Sequence, residues 1–202
     1  MATSPVLETP RLRVEPFGEG HLGARYVGWL NDPEIVKFSE QRAHVHTLDS
    51  CRAYADSFAG TPNFFWAVVA RDPALGHLGN MNAYVDAANG VADVGILIGQ
   101  RAAHGQGYAT EAWNAVCDFL LRTAGMRKVT AGTISVNTPM LRVMERAGMV
   151  DDGRRVGQRL WNGQVVDLVH KALFREDCCA DRSGSSPGPS AQDSSHPRGP
   201  EG

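Results

Sequence analysis

The sequence predicts one α/β domain on a mixed sheet that is not doubly wound. Three observations carry that prediction. The chain has 202 residues, 43% of them hydrophobic and 21% charged, which suits a single domain with a sizeable core. Three apolar runs, "FFWAVVA", "HLGNMNAYVD" and "VADVGILIG", follow one another with only turns between them. Strands clustered in this way do not alternate with helices as a doubly wound Rossmann sheet requires. The third run leads straight into "AAHGQGYATEAW", residues 102–113, a glycine loop followed by a helix-forming stretch.

The elements follow in order. "RLRVEPF" (11–17) alternates and reads as an edge strand stopped by Pro16. "HLGARYVGWLNDPEIVKF" has helical spacing up to Asp32-Pro33, where proline breaks it. "TLDSCRAYADSFAG" carries a Thr47 cap, apolar spacing and a closing Gly60, so it is a second helix. Residues 64–70 form a buried strand, and the turn "RDPALG" leads to its hairpin partner at 77–86. Another strand spans 91–99. After the glycine loop, Trp113, Val116, Cys117, Leu120, Leu121 and Ala124 mark one helix face, closed by Gly125. "KVTAGTI" (128–134) is a strand, and "NTPMLRVMERAGM" is a short helix with Pro139 in its first turn and Gly148 at its end. A further strand is expected around 149–157, and "QVVDLVHKALF" (164–174) is the last. From about Arg175 the chain is Ser, Pro and Gly with little to bury. Residues 1–174 are therefore expected to form the domain and 175–202 a disordered tail.

A formal net charge of −2 makes no electrostatic case for a nucleic-acid or membrane partner. No apolar run reaches membrane-spanning length. The N-terminus lacks the charged start and apolar middle of a signal peptide, so the cytoplasm is the expected location. The four cysteines, Cys51, Cys117, Cys178 and Cys179, contain no pair of CxxC motifs, so no metal site is expected. Cys117 falls on an apolar helix face and is expected to pack as a small hydrophobe. Cys178 and Cys179 are given no role.

A strand that runs through glycines into a helix presents free N–H groups to an anion. A P-loop would need Gly-Lys-Ser/Thr, and "GYAT" has no lysine. A dinucleotide fingerprint would need glycine where Thr110 stands and an acid about twenty residues on, near Arg127, Lys128 and Val129. A coenzyme A loop, Gln/Arg-x-x-Gly-x-Gly/Ala, fits "HGQGYA" at Gly107 and Ala109, with His104 in its first position. An ordinary glycine turn before a helix is the remaining alternative.

"GYATEAW", then a strand, then "NTPMLRVMERAGM" resembles the RimJ/RimL-like branch of the GNAT acetyltransferase superfamily. The second motif matches at Asn137, Arg142, Val143, Glu145 and Gly148, with Arg146 in place of lysine. The resemblance runs from "ETPRLRVEPF" to "VVDLVHKALF". It implies a GNAT fold whose two middle strands splay apart to admit the pantetheine arm of acetyl-CoA or another acyl-CoA. It further implies that the backbone of Leu97, Ile98 and Gly99 pairs with that arm. The pyrophosphate would lie on His104, Gly105, Gln106, Gly107, Tyr108, Ala109 and Thr110. Asn137 and Arg142 would reach the cofactor from the last helix, though Asn137 also reads as a helix cap. There are departures. His104 replaces Arg or Gln and offers less charge at neutral pH. Met140 replaces serine and Met149 phenylalanine. Met144 stands where other branches carry a tyrosine acid, and Gly132 where some N-terminal acetyltransferases carry a glutamate base.

Acyl transfer to an amine needs an acceptor for the amine proton. Asp93 on the central strand is the first candidate, against a plain solvent-facing role. Glu40 in "FSEQR" is the second, as base or as acceptor ligand, against a plain surface charge. His21, His44, His46 and Asp86 are possible pocket residues with weaker claims, against plain surface or packing roles. No Ser-His-Asp or Cys-His pattern stands out, so direct attack without an acyl-enzyme is expected. The expected function is transfer of an acetyl or acyl group to a primary amine of a small molecule: an amino sugar, a nucleotide sugar or a secondary metabolite. The expected assembly is a monomer or homodimer. The alternatives are a protein N-terminal or ribosomal-protein acetyltransferase, an acyltransferase served by a carrier protein's pantetheine arm, and a silent acyl-CoA-binding module.

Overall fold

A computed structural model gives the fold and describes residues 4–175. Cys178, Cys179 and all but the first residue of the 175–202 stretch lie outside the described residues. Eight strands form one sheet in the order β1-β2-β3-β4-β5-β6-β8-β7. They are β1 (Leu7–Glu8), β2 (Leu12–Pro16), β3 (Phe64–Ala70), β4 (His77–Asp86), β5 (Val91–Ile98), β6 (Lys128–Ile134), β7 (Val150–Trp161) and β8 (Gln164–Phe174). The helices are α1 (Ala24–Leu30), α2 (Pro33–Val36), α3 (Leu48–Asp56), α4 (Tyr108–Asp118) and α5 (Thr138–Arg146). Every neighbouring pair of strands is antiparallel except β5 and β6, which run parallel.

Apolar alternation sets which face each helix layer covers. Trp66, Val68, Met81, Val94 and Val129 on one sheet face pack against Trp113, Val116, Leu120 and Met144 of the α4–α5 side. Cys117 is buried there as a small hydrophobe, and burial pushes its thiol up to about 12, which keeps it protonated. On the other face Tyr26, Trp29, Leu30, Cys51, Phe58 and Phe65 form a second core under α1 and α3. Thr47 caps α3 in a reciprocal pair with Ser50.

Four details depart from the sequence expectation. The strand around 11–17 is not an edge, because the two-residue β1 pairs outside it. Asp32-Pro33 ends one helix and starts another: the Asp32 carboxylate accepts from the Glu34 amide, and Pro33 opens α2. The helix after the glycine loop leaves regular geometry at Asp118 and finishes as a wider π turn over Phe119–Thr123. The strand expected at 149–157 runs on to Trp161.

The β4–β5 hairpin positions everything that follows. The β3 register skips one residue of β4, so Val68 faces Gly79 while Val69 faces His77, and Leu78 bulges out. The Leu78 carbonyl then accepts from the amides of both Gly99 and Gln100. That closes β5 and turns the chain into the glycine loop. Two glycines permit the close approach: a side chain at Gly79 would collide with the Leu97 carbonyl, and one at Gly99 would fall inside the Trp29 indole.

His77 sits in an aromatic cluster, its ring centroid 4.9 Å from Trp29 and 5.0 Å from His21. Burial, helped by His21 and Arg25, drops its pKa to about 4, against a weaker pull upward from its bond to the Gly79 carbonyl. A depressed folded pKa stabilises fully above the ordinary histidine value and loses that contribution as pH falls through the folded value. Denaturant melts should therefore lose up to about 3 kcal/mol between pH 7 and pH 4 through this group. His77→Gln should flatten that decline.

Candidate active site

The parallel β5–β6 ladder has three rungs, Val91–Lys128, Ala92–Val129 and Asp93–Thr130. Both strands continue, β5 to Ile98 and β6 to Ile134, but they no longer pair. Asp93 thus stands at the fork. The gap beyond it is flanked by the unpaired edge of β5, including Leu97 and Ile98.

The glycine loop closes one end of this gap. Gly105 and Gly107 both have positive φ, +74° and +83°, which explains glycine at each position. Gly107 is the N-cap of α4. The His104 and Gln106 amides are already spent on the carbonyls of Arg101 and Ala103. The remaining donors toward an anion are therefore the amides of Gly105, Gly107, Tyr108, Ala109 and Thr110. The His104 ring donates to the Ile98 carbonyl at 2.8 Å, so its side chain fastens the loop to the strand end.

Positive charge comes instead from Arg11, which sequence reasoning missed. Arg11 lies 3.4 Å from where a Gly107 side chain would start, over the Tyr108 ring at 4.4 Å, and donates to the Gln106 carbonyl at 2.9 Å. Its ion pair with Glu111 measures 2.7 Å. Glu111 also accepts from the Thr9 hydroxyl at 2.6 Å and the Arg11 amide at 2.9 Å. Burial opposes ionisation of Glu111, but the bonds from Thr9 and Arg11 outweigh it and lower its pKa. On the other side of the loop Arg101 pairs with Asp32 at 2.8 Å. Glu111→Ala leaves Thr9 and Arg11 without their acceptor, so it should cost roughly 2–3 kcal/mol in a thermal melt. The stabilisation is present above the ordinary carboxylate range and is lost as pH falls through the lowered pKa.

The residues expected on the last helix occupy two settings. Asn137 caps α5 through the Met140 amide and donates to the Thr133 hydroxyl at 2.9 Å. Arg142 is exposed and has no ion-pair partner among the described residues. Met144 is fully buried in the core.

Asp93 lies beside Tyr84 on β4 and Thr130 on β6. The Thr130 hydroxyl donates to its carboxylate at 2.7 Å. The surrounding protein desolvates the carboxylate and raises its pKa, while that bond and the charge of nearby His170 pull it back. Asp93 is nevertheless exposed to solvent, which limits that desolvation. The His170 imidazole fills the space over Gly132, 3.1 Å from where a side chain would start, and its buried Nε2 has no partner.

On the same sheet face as Asp93, a cavity of about 460 Å3 opens between α1, α3, the 39–46 segment and the β4–β5 surface. Gly95 and Leu97 form part of its floor, with His44, His46 and Tyr54 among its walls. The Tyr54 hydroxyl lies 3.0 Å from that of Tyr84, the residue paired with Asp93. Glu40 is not part of this lining. Its carboxylate pairs with Arg159 at 3.4 Å and Arg42 at 3.6 Å and ties its turn to β7. Asp86 holds the β4–β5 turn through Asn89, and His21 pairs with Glu15. No group of three or more metal-ligating side chains occurs among the described residues.

Residues 11–150 match the model of the Acetyltransferase (GNAT) domain family. The uncharacterized N-acetyltransferase p20 of Bacillus licheniformis is 23% identical over 160 residues, covering 74% of this chain and 85% of that protein. The spermidine N-acetyltransferase of Vibrio cholerae, solved with CoA and spermine, superposes with a TM-score of 0.74 at 15% identity, over 83% of this chain and 97% of that one. RimL, a ribosomal alpha-N-protein acetyltransferase solved with CoA, gives 0.74 at 14% identity, over 84% and 97%. At these identities the two structures share a fold with this chain.

Proposed function

Because this chain belongs to the GNAT acetyltransferase family, we propose that it transfers an acetyl group from acetyl-CoA to the primary amine of a small molecule, with Asp93 taking the proton. Acyl-CoA-dependent N-acetylation is the activity of the family. The finer reading rests on one observation: a cavity open to solvent lies on the Asp93 face of the fork where β5 and β6 part, floored by Gly95 two residues along β5 from Asp93, which is not itself part of the lining.

The residues present fit the donor. Five amides without a backbone partner and two left-handed glycines at the start of α4 would meet an anion there, with the Arg11–Glu111 pair beside them. The free amides at the helix start suit a pyrophosphate, which favours CoA over a carrier protein's pantetheine arm. We assign Leu97, Ile98 and Gly99 to the arm, and Asn137 and Arg142 to its far side. Bound acetyl-CoA would supply a thioester whose acyl C–S bond breaks as the amine forms the C–N bond, CoA leaving as a thiolate that takes up a proton from solvent. The unpaired β5 amides polarise the acyl carbonyl. Asp93, made more basic by desolvation, takes the amine proton directly or through water. Glu40, held by two arginines, acts in structure.

The motifs around Gly107–Glu111 and Asn137–Gly148 support placement in the RimJ/RimL-like branch. No helix of the described residues is long and apolar enough to cross a membrane. We place the enzyme in the cytoplasm, as a monomer or homodimer. Intact-mass spectra after incubation with acetyl-CoA and either amino sugars or peptides test the acceptor class. The account expects a gain of one acetyl on the sugar; acetylated peptide alone would contradict it. We further propose that residues 1–174 are the catalytic unit. A chain ending at Arg175 should keep its activity and melting temperature, and a large loss of either would assign the remainder to the site or the core.

A further inference from the structure

The acceptor cavity carries its own selection rule, and this inference rests on the proposed N-acetyltransferase reading. None of its lining residues is Asp, Glu, Lys or Arg. A second fixed charge held inside the cavity would meet no counter-charge from that lining and would give up part of its hydration. The lining is nevertheless polar. Asn80, on β4 beside Leu97, is only 7% exposed, and its Oδ1 has no hydrogen-bond partner. His46 presents a buried Nε2 that also lacks one. Asn82 sits opposite Gly95, and a Gly95 side chain would come within 2.7 Å of its amide oxygen. Gly95 thus leaves that amide room on the cavity floor.

A buried acceptor left unsatisfied costs about 1–3 kcal/mol, and a ligand that satisfies it recovers that cost. The volume, about 460 Å3, lies in the lower half of the range for small-molecule sites, roughly 300–1,000 Å3. We infer that Asn80 and His46 select a compact, hydroxylated monoamine of the hexosamine type, whose hydroxyls pair with Asn80 Oδ1 and His46 Nε2. The same rule turns away polyamines, with their second cation, and nucleotide sugars, with their diphosphate. A peptide N-terminus offers neither the hydroxyl pattern nor the size.

The test compares glucosamine, spermidine and an alanine-started tripeptide by thiol release from acetyl-CoA, in wild type, Asn80→Ala and Asn80→Asp. Wild type should favour glucosamine in kcat/KM by at least about tenfold. Asn80→Ala should raise the glucosamine KM by about 10- to 100-fold with a smaller change in kcat. Asn80→Asp keeps the shape and adds a carboxylate, so it should shift preference toward spermidine even if the alanine variant does not fold. A wild-type preference for spermidine or the tripeptide, or variants that leave the preference unchanged, would overturn the inference. If CoA binds by calorimetry and no acceptor is turned over, the acceptor class is wrong while the donor site stands. If CoA does not bind, the underlying reading fails.

Discussion

Asp93→Asn is expected to lower kcat by about 100- to 10,000-fold at neutral pH, the usual range for a lost general base. The side chain keeps its size and can still accept from Thr130, so the fork between β5 and β6 should hold its shape. CoA affinity should not change, because the donor is held by the loop amides and Arg11. The deficit should narrow as pH rises and free amine becomes abundant. Stability supplies an independent sign. The carboxylate pKa is raised in the folded protein, chiefly by desolvation. Such a group stabilises below its ordinary pKa and loses that contribution as pH rises through the folded value. At pH 7 the amide should therefore melt no lower than wild type. Unchanged kcat across the pH range would remove Asp93 from the chemistry. A loss equally large at high pH would make it a residue that positions the acceptor.

Gly107→Val is expected to abolish measurable CoA binding. Two effects act together. The φ of +83° is a conformation that a β-branched residue rarely adopts, and the Cβ would touch the Arg11 guanidinium at 3.4 Å, leaving the two further methyl carbons to crowd it. Backbone strain of this kind costs on the order of 1–3 kcal/mol, which a domain can survive. The amides of Gly107, Tyr108 and Ala109 would lose their aim at the pyrophosphate. Gly105→Ala makes the companion measurement. Gly105 also has positive φ, but a side chain there meets nothing within 4 Å. It should melt lower by a similar strain while keeping more of its CoA affinity. A folded Gly107→Val that binds CoA like wild type would show that the pyrophosphate lies elsewhere.

Local pattern carried much of the fold. The bounds of β3, β4, β6 and β8 follow from apolar runs between turn residues, and Asn137 and Gly148 bracket α5 as cap residues do. Where side chains do not alternate, the sequence falls silent. Most of β7 is exposed on both faces, and Gly153 and Gly157 interrupt it at its two register shifts, so its length has no periodic signature. The site divides in the same way. The glycines and the helix start are local features, readable from "HGQGYATEAW". The contact of Thr9 and Arg11 with Glu111 spans about a hundred residues and has no local trace. His104 could be read as a weak phosphate ligand, but its tie to the Ile98 carbonyl depends on the turn of Arg101–Ala103. His44 and His46 are among the candidate pocket residues of the sequence and do line the cavity, but Asn80 looks like an ordinary polar residue until the packing of α1 and α3 over β4 buries it there. The identity of "HLGNMNAYVD" as a strand, with Asn80 and Asn82 two apart, was the one available hint that they share a face.

The most direct test is a crystal structure with CoA bound. The account predicts the pyrophosphate on the amides of Gly105 and Gly107–Thr110 with Arg11 alongside. It places the pantetheine arm in the gap that opens after Asp93 and Thr130, its thiol end toward the cavity floored by Gly95. Pyrophosphate bound away from the start of α4, or an arm that bypasses the fork between β5 and β6, would contradict it.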